Sequence, residues 1–336
     1  MPMSVSLALK LATMAATAIA SPLSTAPTYP QVKAGAGAGA GAGIPVETVD
    51  LVRFRVEPED RMVVRVLAPG PTALNFLIDT AAERSAISRE AAQRLGLRPA
   101  GPVSIVSFGG SHNVPTVRVP SLHFSKTTRN DLVVLTFPDE IIGADGFLGV
   151  DALQDKKIEF DFVRDRMTVR HARAVAGEFE MLESTTVKAS RRNGRLVFSD
   201  AMVNGVKADV LLDTGSSITI GNLALRDALR AKGRLGPTVP VRLLSITGEI
   251  IVADYGTVKD VMLNGVEFLS MPMAFSTQEP FRALSLDRKP AVLLGMDALR
   301  TFGGVMVDFR SRNVRFAARN DGDTTFRIFG HRSRGR

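Results

Sequence analysis

The sequence predicts a mostly-β protein built as two tandem copies of one unit. Three observations predict it. Short apolar runs of β-type residues recur along the chain, separated by Gly, Pro and Asn. Only two stretches carry a full set of helix start and stop signals. And a series of motifs recurs in the same order, displaced by 134 to 147 residues.

The β-type runs include Met62–Leu67, Leu74–Ile78, Leu132–Thr136, Ile158–Phe162 and Met167–Arg170. The first predicted helix is Arg89–Leu95, with Ser88 as its N-cap and Gly96 just past its end. The second is Leu223–Lys232, with Asn222 before it and Gly233 after it.

The repeat is the strongest signal. FLIDTAAERSAIS at Phe76–Ser88 parallels VLLDTGSSITIGN at Val210–Asn222, with Asp79 and Asp213 separated by 134 residues. Ser88 and Asn222, the two helix-start residues, share that spacing. Further on, GFLGVDAL (Gly146–Leu153) parallels VLLGMDAL (Val292–Leu299), and IEFDFVRDRMTV parallels GVMVDFRSRNVRF, matching Asp161 to Asp308. Each copy runs strand, Asp-Thr turn, helix, β region, apolar-apolar-Gly, closing hairpin. A duplicated unit of roughly 120 residues has the size of a single domain.

Composition removes the competing classes. The 336 residues are 45% hydrophobic and 23% charged, which permits a packed core. The formal net charge of +8 is scattered rather than gathered in a run, so it does not indicate nucleic acid. There is no cysteine, hence no disulfide, thiol nucleophile or Cys-based zinc site. The histidines, His112, His123, His171 and His331, include no HExxH pair, and no GxSxG elbow occurs.

The ends are expected to differ from the body. Lys10, the apolar run LATMAATAIA and the small residues before Ser21 predict a secretory signal peptide over residues 1–20, and so a secreted or periplasmic product with no membrane span. Residues 21–45, Pro/Ser/Thr-rich and then alternating Ala-Gly, predict a flexible linker. The Ala-Gly run does not fit GxGxxG, because its glycines fall on odd positions only. The first lobe is expected over 46–175, the second over 176–320, and a basic tail over 321–336.

The repeated motif carries the chemistry. In each copy an apolar strand delivers an aspartate into a tight Asp-Thr turn, and the Thr hydroxyl can bond across to the other copy. Facing each other about a pseudo-twofold axis, the copies would bring Asp79 and Asp213 together. Two carboxyls that close share one proton, so one can activate a water while the other protonates the scissile carbonyl. No metal or other cofactor is required.

In these residues the chain resembles the retropepsin-like aspartic peptidases, of the bacterial type, with both lobes fused in one chain. The likeness lies in Asp79-Thr80-Ala81 and Asp213-Thr214-Gly215, in the Phe147-Leu148-Gly149 and Leu293-Leu294-Gly295 triplets, and in the VDAL/MDAL and FDF/VDF tails. It implies two β-barrel lobes, a catalytic Asp79/Asp213 pair supported by Thr80, Thr214, Ala81 and Gly215, and an apolar-apolar-Gly strand behind each turn. It also implies a β-hairpin flap in each lobe, at Phe108, Gly109 and Gly110 and at Ile246, Thr247 and Gly248. The expected partner is a peptide or protein substrate, held by a monomer that forms its own pseudo-dimer.

One departure opens a second reading. The first motif has Ala81 where the family has Gly. If that position demanded a positive φ, the Cβ would strain the turn. The alternative is then a weak or inactive peptide-binding protein of the same fold. Asp151, Asp297, Asp161 and Asp308 read as turn-capping residues. Glu83 and Arg84 could line a subsite but more often form a structural ion pair, and Tyr255 and Phe108 read as packing or flap residues rather than specific ligands.

Overall fold

The computed structural model describes residues 62–70, 73–107, 110–173, 184–276, 281–282, 284–319 and 326–328. The predicted signal peptide and linker, and most of the basic tail, lie outside them, as do Phe108, Gly109 and His331.

The first lobe runs β1 (Val64–Leu67), β2 (Ala73–Ile78), β3 (Ala86–Ser88), α1 (Arg89–Arg94), β4 (Arg98–Ser107), β5 (Gly110–Phe124), β6 (Thr127–Phe137), α2 (Asp139–Ile142), β7 (Gly146–Leu148), α3 (Val150–Leu153), β8 (Lys156–Asp161) and β9 (Arg166–His171). The second runs β10 (Ser184–Lys188), β11 (Ser190–Arg192), β12 (Arg195–Val203), β13 (Val206–Leu212), β14 (Ile220–Asn222), α4 (Leu223–Ala231), β15 (Val239–Leu244), β16 (Ile250–Leu263), β17 (Val266–Ser276), β18 (Ala291–Leu294), α5 (Met296–Leu299), β19 (Gly304–Asp308), β20 (Asn313–Ala317) and β21 (Phe326–Ile328).

The strand order shows the duplication directly. The first sheet is ordered β1-β2-β7-β3-β6-β5-β4, and β1 also pairs with β5. In the second sheet the run β12-β13-β18-β14-β17-β16-β15 has the same permutation, and β12 likewise pairs with β16. Parallel and antiparallel pairings correspond too: β2–β7 and β13–β18 are parallel, as are β3–β6 and β14–β17. The extra β1–β5 and β12–β16 contacts curl each sheet back on itself, giving the expected barrel-like lobe.

The long strands alternate as half-buried strands should. In β16 the residues from Ile250 to Ala253 run exposed, buried, exposed, buried. By contrast β18, with neighbours on both sides, is buried throughout. Both predicted helices form. The Ser88 hydroxyl accepts from Ala91 N, and the Asn222 side chain accepts from Leu225 N. The sequence reading did not anticipate α2, α3 or α5, each of four residues, too short to leave a helical period.

A third sheet joins the lobes, in the order β10-β20-β19-β8-β9. The closing hairpin β8–β9 of the first lobe pairs with β19–β20 of the second through β8 and β19, from Gly304↔Asp161 to Asp308↔Lys157. The sequence marks both hairpins as repeats but does not reveal that they pair with one another. Among the described residues, no helix is long and apolar enough to cross a membrane.

Candidate active site

Each lobe brings its Asp-Thr turn to the same place by the same bonds. Asp79 follows the end of β2, and its N–H donates to Leu148 O at 2.9 Å; Asp213 follows β13, and its N–H donates to Leu294 O at 3.0 Å. The acceptors are the last residues of β7 and β18, so the apolar-apolar-Gly strand stands behind each turn as the resemblance implies. The next residue must be glycine. A β-carbon on Gly149 would lie 2.6 Å from the backbone of Arg84, and one on Gly295 would lie 2.3 Å from Ile218 O. No side chain fits that approach.

A second brace is also duplicated. Asp151 accepts from Ser85 N at 3.0 Å and from Ser85 Oγ at 2.7 Å, while Gly149 N donates to that hydroxyl at 3.0 Å. Asp297 accepts from Thr219 N at 2.9 Å and Thr219 Oγ1 at 2.8 Å, with Gly295 N donating to Thr219 at 3.1 Å. These aspartates hold the loops after the turns. Asp161 and Asp308 accept from backbone N–H groups of their own hairpin turns.

The threonines tie the lobes together. Thr80 N donates to Thr214 Oγ1 at 3.2 Å and Thr214 N to Thr80 Oγ1 at 3.1 Å. Thr80 Oγ1 donates to Leu212 O and Thr214 Oγ1 to Ile78 O, each at 2.8 Å. Each hydroxyl thus reaches the strand that leads into the other aspartate, and all of these groups are buried. Charge-free bonds of this kind each contribute about 1 kcal/mol, and an orphaned buried partner costs more.

Asp79 and Asp213 are both buried. Asp79 Oδ1 accepts from Ala81 N at 2.9 Å and Ala82 N at 2.7 Å; Asp213 Oδ1 accepts from Gly215 N at 3.1 Å and Ser216 N at 3.2 Å. The Oδ2 atom of each is buried and accepts no bond from the described residues. Orphaned buried oxygens are uncommon in folded proteins and call for an explanation, a catalytic role among them. The second turn lies against the first carboxylate: a β-carbon on Gly215 would sit 2.4 Å from Asp79 Oδ2.

Burial pushes the Asp79 carboxyl up to about 6, against the opposing N–H bonds of Ala82 and Ala81 and the charge of Arg195. Asp213 is pushed well above the ordinary carboxyl range, by burial and then by the negative charge of Asp79. Asp297 is likewise raised by burial to about 6. These groups keep protons in the folded chain that the unfolded chain releases above about pH 4. Their contribution to stability is therefore fully present below that value and is lost as pH rises through each group's raised value, about 6 for Asp79 and Asp297. Asp155 and Asp161 act oppositely: their cationic partners outweigh burial and hold them below the usual range. Stability should peak near pH 4–5, where both sets are satisfied. A melting temperature higher at pH 7.5 than at pH 4.5 would contradict this assignment.

Arg195 is a residue that the sequence reading missed. It begins β12 and is wholly buried. Its Nε donates to Ala81 O in the opposite lobe's turn. Burial lowers its proton affinity, opposed by the charges of Glu83, Asp79 and Asp213. Glu83 thus faces a different cation from the expected Arg84, whose charge acts instead on Asp151. A signal was available: Arg61 and Arg195 stand 134 residues apart, the same spacing as Asp79 and Asp213.

Ala81 is not among the residues with positive φ, so its backbone carries no strain from the Cβ. Its methyl group is buried in an apolar cluster of the second lobe with Val197, Leu211 and Ile218.

The two segments expected to be flaps lie between paired antiparallel strands, β4–β5 and β15–β16. Gly110 begins β5 beside Ser107 at the end of β4. Ile246, Thr247 and Gly248 form the turn between β15 and β16. Phe108 and Gly109 lie outside the described residues. Tyr255, half-buried, packs against the second-lobe cluster as expected.

The family model described as aspartyl protease matches the sequence twice, over residues 64–152 and 199–298, one match in each lobe. Among solved structures, a retropepsin-like aspartic protease from Rickettsia conorii is 24% identical, covering 41% of this chain and 96% of its own, with a TM-score of 0.28. No curated protein matches.

Proposed function

This chain belongs to the aspartyl protease family, and from that premise we propose that it is an aspartic endopeptidase whose catalytic groups are Asp79 and Asp213. One observation carries the reading: two buried carboxyls sit on turns cross-bonded by Thr80 and Thr214, each with one oxygen held by backbone N–H groups and the other accepting no bond from the described residues.

The pair holds one proton between two carboxyls that burial raises; we take Asp79 as the ionised member and Asp213, raised also by the charge of Asp79, as the one that keeps the proton. The Asp79 carboxylate takes a proton from water as the oxygen attacks the peptide carbonyl, while Asp213 gives its proton to the carbonyl oxygen. The tetrahedral diol then collapses. Its hydroxyl proton returns to Asp213, and the proton on Asp79 passes to the departing amine as the C–N bond breaks. Both groups regain their starting state, and one water is consumed per bond. Thr80 and Thr214 fix the turns, and the hairpins cover an extended peptide.

Arg195 supports the site from behind, holding the carbonyl of Ala81 while that residue's N–H holds Asp79. The alternative, binding without turnover, was motivated by Ala81, and the unstrained backbone there removes its reason. With residues 1–20 read as a signal peptide, the enzyme would act outside the cytoplasm.

The test is hydrolysis of an unfolded protein across pH 3–9. The expected profile of kcat/KM is a bell whose acid limb lies near the value of about 6 for Asp79, with inhibition by a statine-type mimic of the tetrahedral state. Absence of turnover at every pH would sink the proposal.

A further inference from the structure

The two Asp-Thr turns make the same bonds but not at the same lengths. Asp79 Oδ1 accepts from Ala81 N at 2.9 Å and from Ala82 N at 2.7 Å, whereas Asp213 Oδ1 accepts from Gly215 N at 3.1 Å and from Ser216 N at 3.2 Å. The Ala82 N–H belongs to the same peptide group as the Ala81 carbonyl. That carbonyl accepts from Nε of Arg195, which reaches across from the second lobe. A cation at one end of a peptide group polarises the N–H at the other, and hydrogen bonds in such a chain strengthen one another. A continuous path therefore runs from the guanidinium, through one peptide group, to the Asp79 carboxylate.

The surroundings of the cation are also unequal between the copies. Arg195 is wholly buried, and the acids whose charges act on it are Glu83, Asp79 and Asp213. Glu83 has no acidic counterpart: the residue 134 positions further on, at the same place after Asp213, is Ser217. The charge of Arg195 favours ionisation of both Asp79 and Asp213, but it is to Asp79 that the polarised peptide group leads.

We propose that Arg195 is a positioning residue that breaks the near-symmetry of the two turns: by polarising the peptide group between Ala81 and Ala82, it fixes Asp79 as the carboxylate that activates water and leaves the proton to Asp213. The inference rests on the peptidase reading and deepens it. Two equivalent carboxyls would share the proton evenly, and either could act as base. With the symmetry broken, the water gives its proton to the first lobe, and the substrate carbonyl is protonated from the second, in every cycle.

The experiment titrates each carboxyl without its mate. In Asp213→Asn and in Asp79→Asn the surviving carboxyl has no ionisable partner beside it, so its midpoint reports its surroundings. Carbon-13 at the aspartate carboxyls gives that midpoint by nuclear magnetic resonance, the relevant signal being the one absent from the doubly substituted chain. Asp79 should titrate about one unit below Asp213, the scale of a nearby cation's effect. Arg195→Gln, which removes the charge, should close about half of that gap or more. Arg195→Met, read in case the glutamine variant misfolds, should do the same, and Arg195→Lys, which keeps the charge, should restore most of it. An arginine with a structural role alone would lower the melting temperature in these variants and leave the gap as it was. Asp213 titrating below Asp79, or a gap unchanged in a folded charge-free variant, would overturn the inference. This readout does not depend on turnover. The expected midpoints without hydrolysis by the parent chain would defeat the peptidase reading and leave the asymmetry standing, and hydrolysis with equal midpoints would do the reverse.

Discussion

Asp213→Asn should lower kcat/KM by about 10³-fold or more, the scale of losing a positioned acid–base group, while making the folded chain more stable at neutral pH. The substitution keeps the shape. Asparagine retains an oxygen to accept from Gly215 N and Ser216 N, so the turn is preserved. What it removes is the group that holds the shared proton. It also removes a buried carboxyl that must ionise, against burial and against the charge of Asp79, as pH rises. The melting temperature should therefore rise more at pH 7.5 than at pH 4.5. A merely structural aspartate would behave otherwise: its replacement would cost stability and would reduce activity only through the folded fraction. Full activity in the substituted chain would end the catalytic assignment.

Gly215→Ala should be far more damaging than its mirror image, Ala81→Gly, although both interchange the same two residues at equivalent places. A methyl group at 215 would lie 2.4 Å from Asp79 Oδ2 and 2.5 Å from its Cγ. That carboxylate cannot swing aside, because two N–H groups hold its other oxygen and the surroundings are closed. Forcing an extra carbon into a packed site costs about 1–3 kcal/mol, and displacing the carboxylate by about 1 Å should cost a further 10²-fold in kcat/KM. At 81 the methyl already has a place among Val197, Leu211 and Ile218. Its removal should cost about 1 kcal/mol of stability and leave kcat/KM within a few-fold. Urea unfolding and steady-state kinetics on both variants check this. A large gain of turnover in Ala81→Gly would instead revive the reading of a binding protein with an impaired first turn.

Why the fold was so legible follows from the duplication. A single Asp-Thr turn is common, but two with the same strand before and the same capped helix after leave few arrangements. Tight local requirements kept the copies alike: Gly149 and Gly295 because any side chain would strike the neighbouring loop, Ser88 and Asn222 because each caps a helix. What the sequence concealed is what lies between the copies. The β8–β19 pairing, the seating of Ile246 in the first lobe, and the reach of Arg195 to Ala81 are contacts between unlike residues far apart in the chain. No period or spacing encodes them. Arg195 is an intermediate case: its spacing from Arg61 was visible, but an arginine at the start of a strand carries no signal of burial.

The joining sheet bears on how such a chain behaves on dilution. Because β8 of one half is hydrogen-bonded to β19 of the other within a single polypeptide, each half always meets its mate at the high effective concentration that covalent tethering provides. A site assembled from two separate chains would fall apart at low protein levels. Here the amount of assembled two-lobed site should simply track the number of molecules, however few there are.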